Sequence, residues 1–140
     1  MNSHHGTAIS RNGRAALLLG ASGAGKSRLA LELLALGADL VADDAVSFTL
    51  SGKVVFLSCA PSIKGMIEAR GVGLLTVKAV DKAALAIVVN LDKTAEARLP
   101  ALEEHSILGV SFPLIRGKGN AGLAAVVWCL LGGGQILPVE

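Results

Sequence analysis

Residues 20–27 read Gly20-Ala21-Ser22-Gly23-Ala24-Gly25-Lys26-Ser27, a full match to the pattern GxxxxGK[ST]. No other stretch constrains the chain as much. Such a loop works only between a strand and a helix: the glycines let successive backbone N–H groups turn inward around an anion, and the following helix adds its partial positive charge at the same point. Both flanks are present. Ala15 to Leu19 is apolar throughout, as a strand buried on both faces would be. From Lys26 to Leu36 the apolar positions Leu29, Leu33 and Leu36 recur at helical spacing, and Gly37 is a natural stop. The chain is therefore predicted to be an α/β domain carrying a phosphate-binding loop, with Lys26 as the cation and the Ser27 hydroxyl able to ligate Mg²⁺.

The remaining pattern fits one domain spanning 1–140, without linker or internal repeat. Thr7 to Ser10 and Ala15 to Leu19 flank Asn12-Gly13, a strong hairpin signal because both central residues tolerate positive φ. Leu40 to Ala42 reads as a short strand ending in Asp43-Asp44. Val46 to Leu50 and Lys53 to Leu57 form a second hairpin about Ser51-Gly52. Pro61 to Gly73 reads as irregular, because Gly65, Gly71 and Gly73 interrupt it. Leu74 to Val80 is strand-like, and Ala84 to Leu91 suits either a strand or an Ala-rich helix. Thr94 to Glu104 is charged surface, Ile107 to Ile115 one further strand, and Arg116 to Asn120 a basic glycine loop. Ala121 to Leu131 is a helix apolar on nearly all sides, which its own sheet or another subunit must cover.

Composition excludes several classes. With 52% hydrophobic and 17% charged residues, the chain is no disordered polyelectrolyte. The apolar stretch Leu123 to Leu131 falls far short of the roughly 20 residues a bilayer span needs. A net charge of +2, aromatic content of 3% and no Tyr argue against nucleic-acid binding. Cys59 and Cys129 lack metal-ligand spacing and are expected as reduced thiols. His105 has no partner at such spacing either. The first eleven residues lack the apolar core of a secretion signal, so a cytoplasmic protein is expected.

Asp43 and Asp44 end the strand that follows the loop's own helix. A carboxylate there can lie beside a terminal phosphoryl group as a base or Mg²⁺ partner; the alternative is that Asp-Asp simply opens a turn. No guanine-recognition signature follows, since Asn90-Leu91-Asp92-Lys93 has the wrong order. A minimal phosphotransfer domain fits better than a nucleotide switch.

Taken together, His5-Gly6, Gly20 to Ser27, Leu40-Val41-Ala42-Asp43-Asp44 and Ile67-Glu68-Ala69-Arg70-Gly71-Val72-Gly73 agree in order and spacing with one family. The chain resembles the catalytic domain of HPr kinase/phosphorylase, strongly over its first half and more weakly over Pro113 to Asn120. The resemblance implies a mixed-sheet α/β domain similar to the nucleotide domain of phosphoenolpyruvate carboxykinase. It also implies ATP and Mg²⁺ as cofactors, the phosphocarrier HPr as acceptor and a homo-oligomer, hexameric in the family. By position, His5 looks like the family's active-site histidine, Lys26 like its phosphate-binding lysine, and Asp43 like the base that takes the proton from the acceptor serine. Ser27 and Glu68 look like Mg²⁺ ligands, with Asp44 as a metal or positioning group. Arg116 to Asn120 resembles the loop used for dephosphorylation, a phosphorolysis yielding pyrophosphate.

Three departures qualify that expectation. Longer family members carry an N-terminal domain not found in this sequence, so regulation and assembly are expected to differ, and they continue past the Ala121 helix into a further helical part, so HPr docking is expected to be weaker or arranged differently. No arginine lies between Arg70 and Arg98, where the family carries a catalytic one. Lysine cannot replace its bidentate fork, which makes the kinase direction the safer expectation. The rival readings are a kinase of this fold with another acceptor, and a nucleotide-binding regulator with little catalysis.

Overall fold

The computed structural model describes residues 3–138. Its eleven strands are β1 (Ser3–His5), β2 (Thr7–Arg11), β3 (Arg14–Leu19), β4 (Asp39–Ala42), β5 (Ala45–Ser51), β6 (Val54–Ser58), β7 (Met66–Ala69), β8 (Gly73–Thr76), β9 (Lys82–Asn90), β10 (Glu103–Ile107) and β11 (Val110–Arg116). The helices are α1 (Lys26–Ala35) and α2 (Leu123–Leu131). Nine strands form one mixed sheet in the order β1-β5-β6-β9-β3-β2-β4, with the β10–β11 hairpin joined through β11 to β9. Only β3–β9 and β9–β11 run parallel. The α/β class agrees with the reading of the loop motif, and the mixed sheet with what the family resemblance implies.

Strand alternation divides the apolar residues between two cores. Ala16 and Leu18 of β3, with Ile87 and Val89 of β9, face α1 and α2. Ala15, Leu17, Leu85 and Val88 face the other side, where Val46, Val55, Leu57, Ile107 and Phe112 close the curled sheet on itself. Buried on both faces, β3 accounts for the unbroken apolar run in the sequence.

Helix α2 buries Leu123, Val127, Leu130 and Leu131 against the sheet and α1, and leaves Val126 partly exposed. Arg11 holds its far end: Nη1 donates to the Trp128 carbonyl at 2.9 Å while the guanidinium lies 4.0 Å over the Trp128 ring. No helix among the described residues is long and apolar enough to cross a membrane. Cys59 and Cys129 are both free thiols.

Three segments differ from the sequence reading. The stretch expected to be irregular contains β7, which pairs with β8 as a separate small sheet. Glycines there serve the turn rather than breaking the strands, and Ile67 anchors the hairpin by burying completely in the helix-side core. The strand expected to reach Val80 ends at Thr76; Lys78 and Val80 instead make backbone hydrogen bonds with Leu40 of β4. Ile107 to Ile115 is not one strand but the close of a hairpin. Leu108 and Gly109 both take positive φ, 51° and 80°, as a two-residue hairpin turn requires. Leucine at such a position gives no turn signal. The ambiguous segment Ala84 to Leu91 is the strand β9, fixed by its central place between β3 and the β6 and β11 pair.

Candidate active site

The site begins at a crossing of two chain segments. His5-Gly6-Thr7 passes from β1 to β2, and Ala42 to Ala45 passes from β4 to β5. The two lie antiparallel, with Ala8 opposite Ala42, His5 opposite Ala45, and the Gly6 N–H donating to the Asp44 carbonyl at 3.2 Å. Between the strands, the Ala45 N–H returns to the Asp43 carbonyl at 2.9 Å, with Asp44 in the left-handed region at φ 71°. This is a γ-turn in its rare positive-φ form, a strained conformation that persists where surrounding structure imposes it. The two carboxylates then take different partners. Asp44 is largely exposed, 3.4 Å from His5 Nδ1. Asp43 is half-buried and accepts three hydrogen bonds: from Thr7 Oγ1 at 3.0 Å and Ser27 Oγ at 2.9 Å on Oδ1, and from the Glu68 N–H at 3.2 Å on Oδ2.

The glycine-rich loop supplies the opposite wall. Gly23 and Gly25 take positive φ of 84° and 106°. Gly25, the N-cap of α1, offers no side-chain acceptor to the first-turn N–H groups, which are left to a ligand. Lys26 is 7% exposed, and its ammonium donates to the Gly20 and Ala21 carbonyls at 2.6 and 3.1 Å, with no carboxylate paired to it among the described residues. Buried charges are ordinarily paired, so a nearly buried cation held only by carbonyls in a glycine loop suits an anion brought from outside.

A cleft of about 810 Å³ joins these parts. Of the residues singled out from the sequence, His5, Ser22, Gly23, Ala24, Gly25, Lys26, Ser27, Asp43, Asp44 and Glu68 line it, while Gly20 and Ala21 lie behind it at the start of the loop. Glu68 contributes a backbone contact to Asp43, with its side chain exposed. Ser27 and Asp43, rather than Ser27 and Asp44, are the hydroxyl and carboxylate in contact. No group of three or more acidic, His or Cys side chains with metal-holding geometry occurs among the described residues.

Arg116 of the basic glycine loop does not reach this cleft. Its Nε and Nη2 grip Glu103 at 2.5 and 3.2 Å, and Nη1 lies 3.4 Å from Glu96. The hydrogen bond from Arg116 holds the Glu103 carboxyl below its ordinary range, and the same bond raises Arg116.

Three residues were not assigned to the site from sequence. Thr7 is fully buried and bonded to Asp43; only the packing of β2 on β4 brings it there. Arg70 has no ion-pair partner among the described residues, and its Nη2 lies 3.8 Å from where a Cβ on Gly23 would sit. Its place in the turn between β7 and β8 delivers it to the loop, so its neighbour in sequence, Glu68, is not its partner. Asp92 is visible only as part of a failed guanine motif, yet it accepts from the Ala21 N–H.

These features define a mixed α/β domain built around a glycine-rich loop, a buried lysine and a serine–aspartate pair. Comparison with known proteins gives that class a family. The profile of the HPr Serine kinase C-terminal domain matches residues 1–116. Curated relatives named HPr kinase/phosphorylase include that of Cupriavidus metallidurans, 35% identical over 130 residues covering 84% of this chain and 40% of the relative. That of Azoarcus is 37% identical over 132 residues, covering 84% and 42%. The solved structure of the Hpr(Ser) kinase/phosphatase from Coxiella burnetii shares the fold with a TM-score of 0.81, at 22% identity over 94% of this chain and 95% of that one. The chain belongs to the HPr serine kinase C-terminal domain family, and it spans about two fifths of the length of the curated relatives it matches.

Proposed function

We propose that this protein is an ATP-dependent protein-serine kinase whose acceptor is the phosphocarrier HPr. The observation that carries the reading is the Ser27–Asp43 contact beside the buried Lys26. It gathers a metal-type hydroxyl, a carboxylate and a phosphate-type cation at one mouth of the cleft.

In this reading the loop Gly20, Ala21, Ser22, Gly23, Ala24, Gly25, Lys26 and Ser27 binds the nucleotide phosphates, Ser22 to Ser27 from the cleft wall and Gly20 and Ala21 through the carbonyls that hold the Lys26 ammonium. Lys26 and the first-turn N–H groups of α1 oppose the charge that builds on the transferred phosphoryl group. Asp43, aimed by Thr7 and the Glu68 N–H, takes the proton from the acceptor serine as its oxygen bonds to the γ-phosphorus and the bond to the β-phosphate oxygen breaks. His5, held by Asp44, stands at the cleft mouth where the acceptor must approach. Mg²⁺, when bound, supplies charge neutralisation on the β- and γ-phosphates. Ser27, Asp44 and Glu68 are the ligands the family resemblance suggests. Phosphorolysis is the lesser part of the proposal, because Arg116 is engaged by two glutamates away from the cleft. A cytoplasmic homo-oligomer, as large as a hexamer, completes the reading.

The test is incubation of the chain with γ-labelled ATP and purified HPr. Label on an HPr serine, lost with Asp43→Asn, supports the proposal. Nucleotide binding without transfer to HPr would turn it toward another acceptor or a regulator, and no nucleotide binding would overturn it.

A further inference from the structure

Strand β9 ends at Asn90, but its parallel pairing with β3 continues one step further: the Leu91 N–H donates to the Leu19 carbonyl at 2.8 Å. That step sets residue 92 beside the first glycine of the loop. The Asp92 N–H donates to Asn90 Oδ1 at 2.9 Å, an Asx-type turn that aims the following side chain. Its carboxylate then straddles a single amide, with Oδ1 at 3.1 Å and Oδ2 at 3.0 Å from the Ala21 nitrogen. Gly20 permits the approach. A Cβ there would lie 3.0 Å from the Ala24 Cβ and 3.5 Å from Asp92 Oδ1, and φ is +153°.

Residue Ala21 is thereby held through both of its backbone groups. Its N–H is held by Asp92, and its carbonyl accepts from the Ala24 N–H at 3.0 Å and from Lys26 Nζ at 3.1 Å. Asp92 does not line the cleft; it contacts the loop that does. A side-chain oxygen that accepts from a backbone amide leaves that peptide little freedom to turn. Here it clamps the first turn of the loop, and the turn in turn supplies the carbonyls that hold the Lys26 ammonium.

We infer that Asp92 is a positioning residue for nucleotide binding: it fixes the Ala21 peptide and, through it, the place of Lys26. The inference rests on the kinase reading only in taking the ligand to be a nucleotide. It assigns Asp92 a geometric role, through its acceptor atoms, rather than an electrostatic one. A negative charge near a phosphate site opposes binding, so the two roles predict opposite results on neutralisation.

The experiment uses the full chain with Asp92→Ala, Asp92→Asn and Asp92→Glu. Dissociation constants for Mg–ATP are measured by calorimetry, KM and kcat by transfer, and exchange protection of the Ala21 amide by NMR. Asp92→Ala is expected to weaken Mg–ATP binding and raise its KM by about ten-fold or more, with kcat at saturation within about three-fold and Ala21 protection lost. Asp92→Asn keeps an acceptor in place and restores all three readouts. Asp92→Glu keeps the charge but displaces the acceptor, and fails as Ala does. Should the alanine variant not fold, the Asn and Glu pair carries the same comparison. Unchanged or tighter binding in Asp92→Ala, an Asn variant as weak as Ala, or a loss in kcat alone would overturn the inference. Wild-type chain that binds no Mg–ATP would instead sink the kinase reading, and the inference with it.

Discussion

Ser27 Oγ donates to Asp43 Oδ1 at 2.9 Å, joining the last residue of the glycine-rich loop to the first acid after β4. With the loop bound to its own carboxylate, the chemistry and the binding site are one unit. Asp43→Asn keeps the shape and loses the proton acceptor. Transfer is expected to fall by about 10² to 10⁴ in kcat, while nucleotide affinity stays within a few-fold. Parallel transfer assays and calorimetry check this; an Asn variant with wild-type turnover would contradict it.

Thr7 is completely buried, and its hydroxyl donates to Asp43. Thr7→Val preserves volume but removes the donor that aims the carboxylate. Transfer should drop about ten-fold, in kcat rather than in nucleotide KM, and Thr7→Ser should recover most of it. Equal rates for the Val and Ser variants would show that the contact is only structural.

Asp44 occupies the strained centre of the γ-turn at φ 71°. Glycine accepts that conformation freely and alanine does not. Asp44→Gly is therefore expected to be about 1 kcal/mol more stable than Asp44→Ala in urea titration, while both lose the His5 contact. The reverse order of stability would mean the turn relaxes without cost.

Gly117 is packed so closely that an added Cβ would lie 2.5 Å from Leu123 Cδ2 and 3.1 Å from Leu91 Cδ2, both in the helix-side core. Gly117→Ala should cost about 1–3 kcal/mol by overpacking. Thermal denaturation reads the loss, and an unchanged Tm would place α2 differently from the arrangement described.

The Arg116–Glu103 pair gives a pH signature. The hydrogen bond from Arg116 lowers the folded Glu103 pKa, so its contribution is full above the unfolded value of about 4.3 and disappears as pH falls through the folded one. Denaturation midpoints of wild type and Glu103→Gln should differ at neutral pH and converge below about pH 4. A gap that widened on acidification would refute the pairing.

Much of this arrangement was legible in local pattern. The Asn12-Gly13 hairpin, the β3–loop–α1 unit and the Asp43-Asp44 end of β4 each carry their signal within a few residues. What escaped reading depends on distance in sequence or on context. Thr7 meets Asp43 only because β2 pairs with β4. Leu108 takes a positive φ that leucine never advertises. The β7–β8 hairpin was masked by the glycines that turn it, and Arg70 reaches Gly23 only through that turn. Asp92 acquires meaning only once β9 is known to lie parallel to β3.

That parallel pairing has a consequence for biosynthesis. A ribosome that has released the glycine motif has yet to make the strand that stands beside it, since Leu19 waits for Asn90. Until then the nascent polypeptide exposes an Ala- and Leu-rich segment with a bare edge, the kind of surface on which chains stick to one another. Competence for ligand should therefore switch on late and all at once, and truncated products ending short of β9 should need chaperone protection despite carrying the whole motif.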